Sequence, residues 1–319
     1  MVVSSKKGHV SKRSFLERVA RMYYILGYNQ QEISEQLDVG RSSVARFLSE
    51  AREEGIVQFR ISSDLESWRC ASLESEILKT SHLKDCVVLR SDDRSGYSFE
   101  TLASTYLNSV LPTHGAVGLG WGRTLYSIGT QMHLCDPRPD VKLIQLSGGL
   151  GAKEELVPAT SVIQQWSRAL HGKSLFLPAP AVVSTLESKN RFLDDPSILE
   201  IIEEAKQVNA AVVGIGHTGT DATIISANLA PDLHDELASS RLAGDITFHF
   251  YDQNGHFACE QLSERVIGIT PADFLRIELR IGIAHGLEKA RAIRAAVHGR
   301  LVNILITTEE TAKELLASD

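Results

Sequence analysis

Apolar residues recur at helical spacing three times within the first 55 positions. Leu16, Val19, Ala20 and Tyr23 mark the first stripe, Ile33 and Leu37 the second, and Val44, Phe47, Leu48 and Ala51 the third. Gly27 is placed to close the first helix. Asn29 opens the second, with Glu32 three residues on in the spacing of a capping box. Asp38-Val39-Gly40 reads as a short glycine turn, and Gly55 stops the third helix. Two short helices joined across such a turn predict a helix-turn-helix. Ile33, Leu37, Val39, Val44 and Leu48 must meet in one small core to fix the angle between them. That leaves Ser42, Ser43 and Arg46 on the outer face of the last helix, with Arg41 in its first turn. Hydroxyls and guanidinium forks there suit base edges and phosphates in the major groove of double-stranded DNA. The apolar, β-rich residues 56–61 predict a strand or wing, giving a winged-type module over 1–61. The alternative is an ordinary three-helix dimerisation or adaptor module, which the agreement of turn, capping and basic outer face disfavours.

Residues 62–85 carry a broken apolar stripe, Leu65, Trp68, Leu73, Ile77 and Leu78, and predict a linker helix. Beyond it the pattern alternates. Strands are predicted over 86–90, 115–120, 141–146, 174–177, 210–215, 245–251, 266–269, 280–283 and 302–306. Helices are predicted over 99–111, 124–134, 161–171, 197–208, 232–240, 288–297 and 309–316. Strand–helix alternation predicts an α/β domain over 86–319, a mainly parallel, doubly wound sheet covered on both faces. Ligands in such sheets bind at the carboxyl ends of the strands.

Charge sharpens this division. The net charge of −7 is unusual for a protein that binds DNA. Residues 1–60 hold ten Lys/Arg against seven Asp/Glu, whereas the remainder holds 23 against 33. A basic head on an acidic body fits a sequence-specific reader and excludes a general nucleic-acid coat. The 319 residues, 43% of them hydrophobic, suit two domains. The four cysteines form no Cys-x-x-Cys pair, which argues against zinc, dithiol chemistry and a structural disulfide and points to the cytoplasm. No apolar run approaches the roughly 18 residues of a membrane span, and the polar N-terminus lacks a signal core, so no membrane association is expected. The eleven histidines lack metal spacing, and neither a metal nor a cofactor is expected.

Glycine clusters mark the strand ends where chemistry is expected. In Gly118-Leu119-Gly120-Trp121-Gly122-Arg123-Thr124-Leu125 a strand runs into a helix. Glycines let the backbone approach an anion, and a helix start offers free N–H groups and a positive dipole end. Arg123 and Thr124 add a fork and a hydroxyl. Gly120 to Thr124 is therefore a candidate phosphate cradle, the alternative being a turn that needs glycine only for geometry. Ser147-Gly148-Gly149-Leu150-Gly151 follows another strand. Gly214-Ile215-Gly216-His217-Thr218-Gly219 matches G-x-G-x-x-G, but no clear helix follows it, so a dinucleotide site is not expected. Asp245 and Lys289 complete the candidates: a carboxylate accepts from two sugar hydroxyls, and an ammonium holds a phosphate or carbonyl oxygen.

Taken together, QQEISEQLDVGRSSVARFL, GLGWGRTL, LIQLSGGLG, AVVGIG, GDITFHFYDQNG, RVIGI and EKARAIRAAVHGRLVNILITTEETAKELL, in this order, resemble the SorC-type family of sugar-binding transcriptional regulators over nearly the full length. The resemblance implies an effector domain similar to sugar-phosphate isomerases and deaminases, a phosphorylated sugar or polyol as inducer, and a tetrameric repressor or activator. It implies that Gly120, Trp121, Gly122, Arg123 and Thr124 hold the phosphate with help from Gly148 and Gly149. Asp245 would take hydroxyls, and Lys289 would reach the phosphate end or the sugar. Two positions depart from the family pattern. His285 stands where many relatives have a second glycine, and Ser147 stands where some carry a lysine, which removes a Schiff base at that point.

The leading expectation is a ligand-gated regulator that binds operator DNA as a dimer or tetramer. The other is a sugar-phosphate isomerase or deaminase with an appended DNA-binding head. Asp245 or His285 could act as its base, but no paired acid–base constellation is present, so no catalytic residue is assigned.

Overall fold

The structure, a computed structural model, describes residues 12–57, 68–90, 98–150, 157–219 and 229–317. The chain divides into two compact units, Met1–Ser63 and Asp64–Asp319.

The first unit holds α1 (Lys12–Tyr24), α2 (Gln30–Leu37) and α3 (Arg41–Glu53). The capping box forms as the spacing predicts. Asn29 Oδ1 accepts from the amides of Gln31 and Glu32 at 2.9 and 3.0 Å, and the Asn29 amide donates to the Glu32 carboxylate at 2.7 Å. Asp38 ends α2 in a left-handed conformation, φ 52°, which a short polar side chain tolerates. Val19, Met22, Ile33, Val44 and Leu48 form the core, with Leu37 and Val39 partly buried against it. A second cluster joins Leu16, Ala20 and Ala51 to Ile56 and Val57. Tyr23, assigned to the buried stripe by spacing, is instead exposed, and Met22 takes the inward position. The ring of Tyr23 leaves the core at the end of α1, where the chain turns towards α2. Most of the expected wing, residues 58–61, lies outside the described residues.

The second unit is built on a seven-stranded sheet in the order β1-β10-β9-β5-β2-β3-β4. Its strands are β1 (Asp85–Leu89), β2 (Gly115–Leu119), β3 (Val141–Gln145), β4 (Lys173–Leu175), β5 (Ala210–Gly214), β9 (Leu279–Ile283) and β10 (Ile304–Thr308), and every neighbouring pair is parallel. Alternate residues feed two cores, as strands buried on both faces require. Val87, Val117, Leu143, Val212, Ile281 and Ile306 point to one. That face is covered by α5 (Phe99–Val110), α6 (Arg123–Gln131) and α7 (Ala159–Leu170). Val88, Ile144, Val213 and Leu305 point to the other. There α4 (Ala71–Thr80), α9 (Pro196–Lys206), α12 (Pro271–Arg276), α13 (Ala290–His298) and α14 (Glu309–Ala317) pack. Trp166 locks the first face: it is fully buried, and its Nε1 donates to Leu125 O at 2.8 Å. Its ring lies on Gly129, where a Cβ would come within 2.6 Å of the indole.

Within the segment read as a linker, the helix proper is α4, which packs against β1 and α14 inside the second unit. Leu65 lies outside the described residues.

Two predicted strands differ from the structure. The run 245–251 is not one strand but a hairpin, β7 (Leu242–Ile246) and β8 (His249–Asp252), paired antiparallel. Thr247 and Phe248 form its turn at φ 50° and 68°. Neither residue signals a positive-φ turn in sequence, because both are disfavoured there. Residues 266–269 run extended but make only single bridges, Ser147 with Gly268 and Val182 with Val266. Between the main strands lie β6 (Gly216–His217), α8 (Leu186–Leu193), α10 (Pro231–Ser239) and α11 (Glu260–Glu264). β6 adds to β7, making a small antiparallel sheet of β6, β7 and β8.

Candidate functional site

The strand order changes direction between β5 and β2, so their carboxyl ends open a crevice at a topological switch point. The loops after β2, β5 and β9 all leave from this edge, and they carry most of the residues that the glycine pattern selected.

Gly120 donates its amide to Val212 O at 2.9 Å, which holds the start of the β2–α6 turn against β5. A Cβ on Gly120 would already touch the Val213 backbone at 3.4 Å. Gly122 is the N-cap of α6 at φ 124°, a conformation open to glycine and strained for other residues. It offers no side-chain cap, and the first amide bonded back into the helix is that of Tyr126, to Gly122 O at 3.0 Å. Open space surrounds the place where its Cβ would be. The start of α6 therefore presents free N–H groups to the crevice, with the exposed Arg123 and half-buried Thr124 beside them. Trp121 takes part in holding this turn in place. Its ring stacks on Phe248 at 4.9 Å and 9°, tying the turn to the β7–β8 hairpin.

Asp245 lies on that hairpin. β6 and β7 pair Gly216 with Asp245. Any Cβ on Gly216 would overlap the Asp245 carboxyl oxygen. The G-x-G-x-x-G run thus has a job unrelated to dinucleotides: its middle glycine leaves room for a carboxylate. Burial pushes the Asp245 carboxyl up to about 6, against the pull of a Phe248 backbone hydrogen bond and the Lys289 charge. Lys289 closes a short 3-10 turn, Leu287–Lys289, that leads into α13. Burial lowers its pKa, opposed by Glu288 and Asp245, while the nearby Arg123 lowers it further. Arg123, Asp245 and Lys289 therefore share one electrostatic neighbourhood, although they come from three separated segments.

His285 packs its ring against Phe99 at 4.6 Å, and burial followed by the Lys289 charge lowers its pKa. Gly286, at φ 109°, donates to Thr311 Oγ1 at 2.9 Å and leaves space that the Glu288 carboxylate fills.

Gly148 and Gly149 behave differently from the expectation of free amides. Gly148 donates to Ile267 O at 2.8 Å and Gly149 to Ala179 O at 3.0 Å. A Cβ on Gly148 would overlap the Pro180 carbonyl. Gly148 thus serves close backbone packing, a Cβ on Gly149 would meet only Ala159 Cβ at 3.8 Å, and both amides are bonded within the fold. Gly151 lies outside the described residues.

In the first unit, Arg41, Ser42 and Arg46 are exposed on α3 and Ser43 is half-buried. Arg46 lies over the Phe47 ring at 5.4 Å, with Glu50 at 3.8 Å. A cleft of about 400 Å³ is lined by Tyr23, Asn29, Gln30, Gln31 and Arg41, next to the start of α3.

These features define a class: a three-helix module preceding an α/β domain built on a parallel sheet. Residues 66–317 match the Sugar-bind profile, a sugar-binding domain, and the chain belongs to that family. It is 28% identical over 310 residues to the deoxyribonucleoside regulator of Bacillus subtilis, covering 96% of this chain and 98% of that one. It is 30% identical to the transcriptional regulator LsrR of an Enterobacter species, over 97% of this chain and 94% of that one. The crystal structure of the full-length sorbitol operon regulator SorC from Klebsiella pneumoniae matches with a TM-score of 0.70 at 27% identity, over 95% of this chain and 99% of that one. The SorC-type resemblance read from the motifs is borne out. Among the described residues no helix is long and apolar enough to cross a membrane.

Proposed function

We propose that this chain is a DNA-binding transcriptional regulator of a sugar or polyol catabolic operon, controlled by a phosphorylated sugar or polyol. The observation that carries the effector reading is the convergence of an uncapped helix start, Arg123 and Lys289 with one carboxyl, Asp245, at a single sheet edge. Cations and free amides suit a phosphate, and an ionised carboxylate suits hydroxyls. The effector's phosphate lies at Gly120 to Thr124, and Asp245 and Lys289 hold its other end. Arg41, Ser42, Ser43 and Arg46 meet the operator, with the Tyr23–Arg41 cleft against the DNA backbone. One recognition helix covers only a few base pairs, so the working form is a homo-oligomer, at least a dimer on a roughly symmetric site.

Control follows from linkage. The effector changes operator affinity only by binding two arrangements of the protein unequally. A thermal-shift screen of phosphorylated sugars and polyols tests this. A true effector raises the melting temperature by mass action and changes operator affinity at the same concentrations. Failure of every phosphorylated compound, with success of a neutral one, would contradict the cradle.

One observation favours a second reading. A carboxyl near pKa 6 beside a lysine of lowered pKa suits proton transfer at a sugar carbon. Turnover of sugar phosphates by the isolated protein would support an isomerase-like activity. Binding without turnover supports the regulator alone.

A further inference from the structure

A second cleft, apart from the crevice described above, opens among α8, α11 and the start of α12. Its volume is about 700 Å³, and Lys189, Asn190, Phe257, Ala258, Ser263 and Pro271 line it. None of these residues belongs to the phosphate cradle. The size falls within the range of small-molecule sites.

The ammonium of Lys189 is half-buried and makes one hydrogen bond, to Glu264 O at 2.8 Å. Among the described residues no carboxylate forms an ion pair with it. The ammonium keeps donors free for a further acceptor in the cleft. Burial lowers its pKa, opposed by the charge of Glu264. Phe257, Ala258 and Pro271 give the cleft apolar lining.

Ser263 supplies a directed polar atom. His249 Nε2 bonds Ile269 O at 3.0 Å, and a carbonyl only accepts, so the ring proton is on Nε2. Nδ1 then accepts from the Ser263 hydroxyl at 2.7 Å. The proton of Ser263 is used, and its oxygen keeps lone pairs for a donor. Two exposed carboxylates, Glu260 and Glu264, also line the cleft. They disfavour a doubly charged phosphate ester more than a singly charged acid.

We propose that this cleft is a second ligand site, which takes a small carboxylic acid on an apolar ring or chain. The carboxylate pairs with Lys189, and the apolar body lies against Phe257 and Pro271. A hydroxyl on the ligand donates to Ser263. This site is independent of the regulator reading, since it shares no residue with the cradle.

The test uses 4-fluorobenzoate as probe and ¹⁹F NMR line broadening on the full chain. Saturable binding is expected for the unsubstituted protein. Lys189→Met removes the charge partner and should weaken binding by about tenfold or more. Ala258→Trp fills the cleft and should abolish binding, which keeps the test decisive if Lys189→Met fails to fold. Gly122→Val, in the phosphate cradle, should leave binding unchanged. No binding by the unsubstituted protein overturns the proposal. So does binding that survives both cleft substitutions, or binding lost with Gly122→Val, which would place the probe in the cradle.

Discussion

A carboxyl titrating near pH 6 changes charge across the range in which most proteins are handled. Asp245 is such a group because its site removes water before any partner arrives. The sign follows from linkage. Its folded pKa is raised above the unfolded value, so it favours the folded state at low pH, and that contribution is lost as pH rises through about 6. Between about pH 4 and 7 the unsubstituted protein should therefore lose on the order of 2 kcal/mol of stability relative to Asp245→Asn. Chemical denaturation of both proteins across that range checks it, and parallel stability curves would remove Asp245 as the buried acid. Gly216→Ala is the steric counterpart. The new methyl must displace the Asp245 carboxyl, so effector affinity should fall by about tenfold or more while operator binding persists. Isothermal titration with the effector measures the first and a DNA-binding titration the second. On α3, Arg46→Ala should weaken operator binding by about 1–3 kcal/mol if Arg46 reads a base. If it meets only phosphate, affinity falls evenly across sequences and the salt slope drops by about one. Unchanged operator binding would mean that another face of the module meets DNA. The residues legible in the sequence were those whose chemistry is local: Asn29 with Glu32, the arginines of α3, and the glycines of the α6 turn. Gly216 was visible as a motif but not as a spacer for Asp245, because 29 positions separate the two. Only the pairing of β6 with β7 joins them.

At the scale of elements, periodicity placed the central strands of the sheet to within one or two residues. It worked because strands buried on both faces read as apolar runs, and the helices between them read as stripes. The failures share a cause. A hairpin turn at Thr247 and Phe248 runs against local preference and is held by tertiary contacts, notably the stack of Phe248 on Trp121. The helices α8, α11 and α12 went unread. α11 and α12 span only five and six residues, too short for a stripe to repeat. The resemblance gave Gly148 and Gly149 a part in holding phosphate, whereas in the structure their amides bond Ile267 O and Ala179 O. One element-level prediction concerns the first unit. Asn29→Ala breaks both directions of the capping box and should cost about 1 kcal/mol of that unit's stability. The change is read as a lower melting temperature for the isolated unit, or as weaker operator binding by the full chain. No change in either would show that the core alone holds α2.

At the scale of the molecule, a charge imbalance and a change of period at about residue 60 were enough to separate a reading head from an effector body. The polypeptide then divides its chemistry accordingly. Substitutions around the core of one unit should leave the ligand properties of the other intact, and only communication between them requires both. The account rests on one claim, that the crevice at the β2–β5 switch point is where the controlling ligand acts. The measurement is an operator-binding titration, with and without the effector found by the thermal-shift screen, for Gly122→Val and Lys289→Ala. A β-branched side chain at Gly122 is strained at φ 124° and projects into the space reserved for the anion. Lys289→Ala removes a cation from the other end of the ligand. Both variants should bind operator as the unsubstituted protein does and fail to respond to effector at concentrations about tenfold above those that suffice for it. Normal responses from both would place the ligand elsewhere and contradict the assignment of this crevice.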